Sequence, residues 1–246
     1  MKSKISIMLL ICILSAILLI GCSNSQETVA VTSDDTYETV VDATFLNSIS
    51  KPSTIFNKDL ALICAHLSQE IENVYANDDV NKIKNEYKKL GVKEENIYTL
   101  SDNHESYYYS LACMQNVNIN NEKYNILFIT ARGTGGDTDK NLDEKLGDSL
   151  SISSKDFFGY PAYDDSYYFY EKIQKQIESK FLSEHPFLKE GKLKVVITGH
   201  SLGGSGVNLV AAAYDKCLET KQGWWSDLTT KDDIYCYTFG AIGSIG

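Results

Sequence analysis

The chain has 246 residues, of which 43% are hydrophobic and 23% are charged, and its formal net charge is −10. This length and apolar content suit one globular domain with a sizeable core. The acidic balance argues against the class of proteins that hold nucleic acid through its phosphates, so we expect no nucleic-acid partner.

The N-terminus has the features of a secretion signal. Lys2 and Lys4 precede an apolar run over residues 5–20 that is short for a membrane span. The run ends in Leu19-Ile20-Gly21-Cys22 and resembles the lipobox of bacterial lipoproteins. The resemblance implies a signal peptide over residues 1–21, cleavage before Cys22 and lipidation of that cysteine. An uncleaved signal anchor with an incidental cysteine is the alternative. We expect a cell-envelope protein, lipid-anchored to the outer face of the cell membrane.

A polar stretch follows the lipidation site. Residues 23–36 lack bulky apolar periodicity, which is typical of a flexible tether. We place the tether at residues 22–52 and the folded domain at residues 53–246.

The cysteines of the body show no metal-ligand spacing, because none forms a CxxC pair. We therefore expect no metal and no cofactor. Their apolar settings favour buried free thiols over a disulfide. These cysteines are Cys64, Cys113, Cys217 and Cys236.

The first half of the body alternates helices and strands. Apolar residues at helical spacing surround His66, which favours a packed core histidine over a metal ligand. Gly91 marks a helix end, and Asn120-Asn121 predicts a turn into a buried strand. The predicted elements are helices over residues 60–74 and from 78 or 79 to 90, and strands over 96–100, 107–114 and 124–131.

The second half continues this alternation. A helix is predicted from Asp164-Asp165 through Phe181, a strand over 193–198, a helix over 203–218 and a strand over 234–239. Strands and helices in this order are typical of a parallel sheet covered by helices. The long segment 135–161 fits a lid or a surface loop equally well.

The stretch Gly199-His200-Ser201-Leu202-Gly203 stands between a buried strand and a helix of small residues. G-x-S-x-G in this setting is typical of a tight, strained turn that raises the serine hydroxyl above the sheet edge. The Leu202 N–H then begins the helix, where it faces a developing oxyanion. The alternative is a glycine-rich turn that binds nothing or binds phosphate, although no Walker lysine is present.

Two further strand ends strengthen this interpretation. The strand over 124–131 runs into Arg132-Gly133-Thr134, and the last strand reads Tyr237-Thr238-Phe239-Gly240-Ala241. Together with the G-H-S-L-G-G turn, these motifs resemble the class 3 lipase family of α/β-hydrolases. The resemblance implies an α/β-hydrolase-like fold, with a parallel-core sheet flanked by helices, and makes residues 53–246 a partial α/β-hydrolase domain.

The resemblance also implies roles for individual residues. Ser201 is the nucleophile, and Leu202 and Thr134 supply the oxyanion hole. Arg132 is structural, and His200 packs beneath the serine. Family members are mostly acylglycerol or phospholipid hydrolases, so an ester or lipid substrate is implied. The sequence names no protein partner.

The chain departs from the family after its last strand. In the family the aspartate and histidine of the catalytic triad follow that strand, whereas no histidine follows His200 here. The other histidines, His66, His104 and His185, precede the serine. We therefore expect the C-terminal part of the fold to be missing and Ser201 to lack its base. The alternative is a noncatalytic surface lipoprotein that uses the hydrolase fold for binding.

Overall fold

The structure, a computed structural model, describes residues 28–31, 39–77, 79–99, 109–133 and 173–241. The predicted signal peptide, Cys22, His104, Thr134, the segment 135–161 and the helix start at Asp164-Asp165 lie outside these ranges. Within them, no helix has both the length and the apolar character needed to cross a membrane.

Strands and helices alternate along the described chain. The strands are β1 (Thr28–Val31), β2 (Thr39–Asp42), β3 (Ile97–Thr99), β4 (Tyr109–Ile119), β5 (Glu122–Ala131), β6 (Lys192–His200) and β7 (Ile234–Phe239). The helices are α1 (Ala43–Ile49), α2 (Lys58–Asn77), α3 (Asn81–Lys89), α4 (173–184) and α5 (Ser201–Thr220). Within α4, Ile177–Phe181 is a π-helical stretch.

A five-stranded sheet in the order β3-β4-β5-β6-β7 forms the centre of the fold. β5, β6 and β7 are parallel, which confirms the predicted parallel core. β3 and β4 are antiparallel to their neighbours, and the β4–β5 connection is a tight hairpin. Asn120 and Asn121 take φ values of 53° and 66° there, which suits the left-handed conformation that asparagine tolerates in such turns.

Helices cover both faces of the sheet. One apolar cluster joins α1, α2 and α3 to the sheet through residues such as Phe45, Ile71 and Phe128. The other joins α4 and α5 to the opposite face through residues such as Phe181 and Val210. This layering is the predicted α/β architecture, and it confirms the α/β-hydrolase-like fold class.

Helix α2 shows why one predicted core residue was wrong. Its buried stripe contains Leu60, Cys64 and Ile71, as the helical spacing predicted. His66 is exposed instead, and Leu62, four residues earlier, is 51% exposed. Residues four apart share one side of a helix, so His66 faces away from the sheet.

The folded part begins ahead of residue 53, where we predicted the domain boundary. Phe45 and Ile49 in α1 are fully buried, and the Phe45 ring lies 5.4 Å from the ring of Phe128 on β5. The Asp42 carboxylate accepts a 2.7 Å hydrogen bond from the Phe45 N–H and begins α1. Polar residues surround these few apolar residues in the sequence, so the sequence did not indicate that α1 packs into the core.

The cysteines are free thiols, but only two of the four are buried. Cys64 and Cys113 lie in the core, and burial raises the pKa of each thiol well above its usual range. Cys217 is half-buried and Cys236 is exposed on β7, which corrects the expectation that all four lie inside. The apolar neighbours of Cys236 in sequence alternate with it along the strand, so they face the other side of the sheet.

Candidate active site

The serine turn joins β6 directly to α5. β6 ends at His200, and Ser201 is the first residue of the helix. Ser201 has a φ of 51°, a left-handed conformation that is strained for a residue with a side chain. The predicted strain at this position is confirmed. Such a turn projects the half-buried Ser201 side chain from the carboxyl end of β6.

The glycines around Ser201 are required by close backbone packing. A Cβ atom at Gly203 would lie 2.1 Å from the Arg132 carbonyl oxygen, and one at Gly199 would lie 2.8 Å from the Gly203 carbonyl carbon. Real Cβ atoms essentially never approach so closely. The G-x-S-x-G pattern therefore lets the start of α5 rest directly on the ends of β5 and β6.

The first turn of α5 supplies backbone donors beside the serine. Leu202 is its second residue, and the first N–H groups of a helix have no partner within the helix. Thr134, the other predicted oxyanion-hole residue, lies outside the described residues, so the pairing of the two donors stays a prediction.

The loop that leads to Thr134 does reach the serine. Ala131, the last residue of β5, pairs with Gly199 of β6, so both strands end at the same edge of the sheet. A Cβ atom at Gly133 would lie 2.9 Å from the Ser201 Cβ and 2.9 Å from the His200 carbonyl oxygen. Gly133 and the serine turn therefore form one local structure.

Glu72, near the end of α2, contacts both parts of this structure. Its Oε1 accepts a 2.6 Å hydrogen bond from the Gly133 N–H and lies 3.1 Å from His200 Nδ1. Its Oε2 lies 3.7 Å from Nε of Arg132, whose side chain is buried. Sequence reasoning missed Glu72, because only the apolar positions of α2 were used to predict how that helix packs.

His200 differs from the expectation drawn from the resemblance. Its side chain is 50% exposed and faces Glu72 rather than packing beneath Ser201. Its Nε2 lies on the side of Gly240, where a Cβ atom would come within 3.6 Å of it. The Glu72 carboxylate on α2 is the polar partner of the imidazole in the structure.

The other described histidines do not reach the site. His185 is buried, with Nδ1 3.0 Å from the Phe181 carbonyl oxygen, and it precedes β6. Phe187 and Glu190, which follow it, accept hydrogen bonds from Asn125 near the start of β5, whereas Ser201 follows the carboxyl end of β6. His66 is exposed on α2. Within the described ranges, no side chain forms a hydrogen bond with the Ser201 hydroxyl.

Hydrogen bonds between buried hydroxyl groups join α2 and α3 to the sheet near the site. The Thr198 hydroxyl on β6 lies 2.8 Å from the Ser68 hydroxyl on α2 and 2.8 Å from the Tyr237 carbonyl oxygen on β7. Tyr87 on α3 donates a 2.7 Å hydrogen bond to Thr130 on β5, and burial raises the pKa of Tyr87 to about 12. These contacts set where α2 places its side chains relative to the strand ends.

No group of three or more histidine, cysteine, aspartate or glutamate side chains in the described part of the chain is arranged to hold a metal ion. The expectation that the protein uses no metal stays a prediction.

A protein family and a solved lipase structure are similar to this chain. Among solved structures, the chain is similar to the M37 lipase, at 18% identity and a TM-score of 0.42, over 73% of this chain and 58% of that one. The chain thus spans less than two thirds of the length of that lipase. No curated protein matches the sequence. The family described as lipase (class 3) matches residues 108–242, which is more than half of the chain and includes both strand ends at the site. The chain therefore belongs to the class 3 lipase family.

Proposed function

We propose that this protein is a membrane-anchored serine ester hydrolase that cleaves acylglycerol or phospholipid esters through an acyl-enzyme on Ser201. One observation carries the proposal. Ser201 takes a φ of 51° between β6 and α5, with Gly133 of the neighbouring strand end packed against it. A strained serine at the start of a helix, beside a second backbone loop, is the arrangement that acyl transfer uses.

In the proposed reaction the Ser201 oxygen attacks the carbonyl carbon of the ester and forms a C–O bond. The negative charge on the carbonyl oxygen is stabilised by the Leu202 N–H and by Thr134. The ester C–O bond then breaks, and the alcohol leaves with a proton. Water attacks the acyl group on Ser201, which releases the carboxylic acid and restores the hydroxyl.

A base must take the Ser201 proton for this reaction to be fast. The described histidines lie elsewhere: His66 is exposed, His185 precedes β6, and Nδ1 of His200 faces Glu72. We therefore propose that this chain by itself turns over esters very slowly. The same observation favours a second candidate, a noncatalytic surface lipoprotein that uses the hydrolase fold for binding.

Covalent labelling tests the role of Ser201 without requiring turnover. An alkyl fluorophosphonate forms an O–P bond with a serine oxygen and loses fluoride, while buffer takes the proton. We expect one adduct per chain after incubation over hours, mapped to Ser201 by mass spectrometry. Ser201→Ala should remove the adduct, because it removes the nucleophile.

Ser205→Ala is the matched control, because Ser205 lies one turn further along α5 and its hydroxyl bonds the Ser201 carbonyl oxygen at 3.4 Å. This variant should label like the wild type. A wild-type chain that stays unlabelled even when imidazole is added as a base, or an adduct that survives Ser201→Ala, would reject Ser201 as the nucleophile and favour the binding role.

Membrane anchoring rests on Leu19-Ile20-Gly21-Cys22 after a short apolar run. Cys22→Ser removes the thiol that the acyl chains require, so we expect the protein to move to the medium or to stay unprocessed. Fractionation of cells and mass spectrometry of the N-terminus measure this, and Cys217→Ser serves as the control. Normal processing and membrane retention of Cys22→Ser would contradict lipid anchoring.

A further inference from the structure

We propose that Glu72 is a positioning residue of this site, whose carboxylate holds the Arg132–Gly133 loop and the His200 imidazole in place around Ser201. The inference rests on the proposed role of Ser201 as nucleophile. Glu72 does not act on the substrate itself; it acts through the groups that surround the serine.

The contacts of Glu72 join three segments of the chain. Oε1 binds the Gly133 N–H at 2.6 Å and faces His200 Nδ1 at 3.1 Å, while Oε2 lies 3.7 Å from Arg132 Nε. The first of these is short for an N–H···O bond. One carboxylate therefore connects α2 to the end of β5 and to the end of β6.

Glu72 and Ser201 both lie against Gly133, on the side where a side chain would begin. A Cβ atom at Gly133 would lie 2.9 Å from Glu72 Oε1 and 2.9 Å from the Ser201 Cβ. Any movement of the Gly133 backbone towards or away from Glu72 therefore changes its distance from the serine. The carboxylate controls this movement, because it holds the Gly133 N–H.

The position of the carboxylate is itself determined by packing. Ser68, one turn before Glu72, lies 2.8 Å from the buried Thr198 hydroxyl on β6. The Glu72 side chain is only 28% exposed, and the Arg132 side chain beside it is 1% exposed. Glu70 on the same helix differs, because it accepts a 3.2 Å bond from Asn73 within α2. Among these two acids, Glu72 is the one that reaches the strand ends.

The peptide that Glu72 holds directly precedes Thr134, the proposed second oxyanion donor. Without the carboxylate, the Gly133 N–H loses its acceptor and the loop is free to rotate. Misplacement of a catalytic group by about 1 Å can lower a rate on the order of 10²-fold. We therefore expect Glu72→Ala to slow fluorophosphonate labelling of Ser201 by about that factor.

Two measurements on the full chain test the inference. The first is the amide resonance of Gly133 in ¹⁵N-labelled protein, with its hydrogen-exchange rate, which reports the hydrogen bond whether or not Ser201 reacts. The second is the rate of Ser201 labelling by the fluorophosphonate. The variants are Glu72→Ala, Glu72→Gln, which keeps a neutral acceptor, and Glu70→Ala as the matched control.

We expect the Gly133 amide to shift upfield and to exchange faster in Glu72→Ala, with a smaller change in Glu72→Gln and none in Glu70→Ala. The rate of Ser201 labelling should fall most in Glu72→Ala, less in Glu72→Gln and not in Glu70→Ala. Glu72→Gln should unfold near the wild-type temperature, which would show that its slower labelling does not result from unfolding. An unchanged Gly133 amide in Glu72→Ala would overturn the inference.

The remaining outcomes separate the inference from the function on which it rests. If the Gly133 amide changes and Ser201 labels at the wild-type rate, Glu72 is structural and the positioning role is rejected. If the wild-type chain does not label even when imidazole is added as a base, the proposed nucleophile fails, and the positioning role fails with it. In that case the Gly133 data still establish that Glu72 holds the loop.

Discussion

Gly203→Ala is expected to lower the free energy of unfolding by about 3 kcal/mol or more. The added methyl group would lie 2.1 Å from the carbonyl oxygen and 2.4 Å from the carbonyl carbon of Arg132, and 2.8 Å from the carbonyl carbon of Ala131. All three atoms belong to the backbone, so no side chain can rotate away. The helix α5 must then move off the end of β5, and Ser201 moves with it.

Urea denaturation followed by circular dichroism measures the loss, and Gly204→Ala is the matched control. A Cβ atom at Gly204 would come no closer than 3.1 Å to its neighbours, and alanine is favoured over glycine within a helix by about 1 kcal/mol. We expect Gly204→Ala to unfold close to the wild type. If Gly203→Ala were equally stable, the close packing of α5 on β5 would be wrong.

Hydrolysis of 4-nitrophenyl butyrate by the 246-residue chain is expected to be slow. A serine without a base loses on the order of 10⁴- to 10⁶-fold in rate, and an oxyanion hole alone retains only about 10³–10⁴ over water. Imidazole added to the buffer should raise the Ser201-dependent rate, because a small base can take the proton that no described histidine contacts. The initial rate is measured with and without imidazole.

Ser201→Ala is the control in this experiment, since imidazole cleaves activated esters by itself and that background must be subtracted. A rescue that is equal in the wild type and in Ser201→Ala would reject the missing-base explanation. Rapid hydrolysis without imidazole, abolished by Ser201→Ala, would also reject it. Because His66 and His185 lie away from the site, His104 would then be the base to examine.

The local elements of this protein follow from short-range patterns. The strand over residues 234–239 agrees with β7 in both bounds, and the turn at Asn120-Asn121 takes the predicted left-handed conformation. β4 extends to Ile119, five residues beyond the predicted end. The prediction ended too early because polar residues alternate with apolar ones in this part of the strand and interrupt the apolar run. The spacing of apolar residues predicts which face of a strand is buried, but it predicts the ends of the strand less accurately.

The serine turn was predictable because its requirements are local. This turn passes from a strand through a left-handed residue into a helix within a few residues. Such a tight connection requires small flanking residues, and G-x-S-x-G supplies them at Gly199 and Gly203. Membership of the class 3 lipase family follows from the same motifs and is confirmed by the family match over residues 108–242. The catalytic role of Ser201 stays a prediction.

The surroundings of the serine depended on contacts between distant parts of the chain. Glu72 and Gly133 are 61 positions apart, and Glu72 and His200 are 128 apart. Nothing in the sequence around either end indicates that a carboxylate on α2 meets both strand ends. The exposed position of His66 likewise depended on which side of α2 faces the sheet. By itself the sequence determined the strands of the central sheet, most of the helices and the strained serine, because these depend on residues close together in the chain. Only the tertiary structure decided which charged groups surround that serine, because helix packing brings together residues that no local pattern connects.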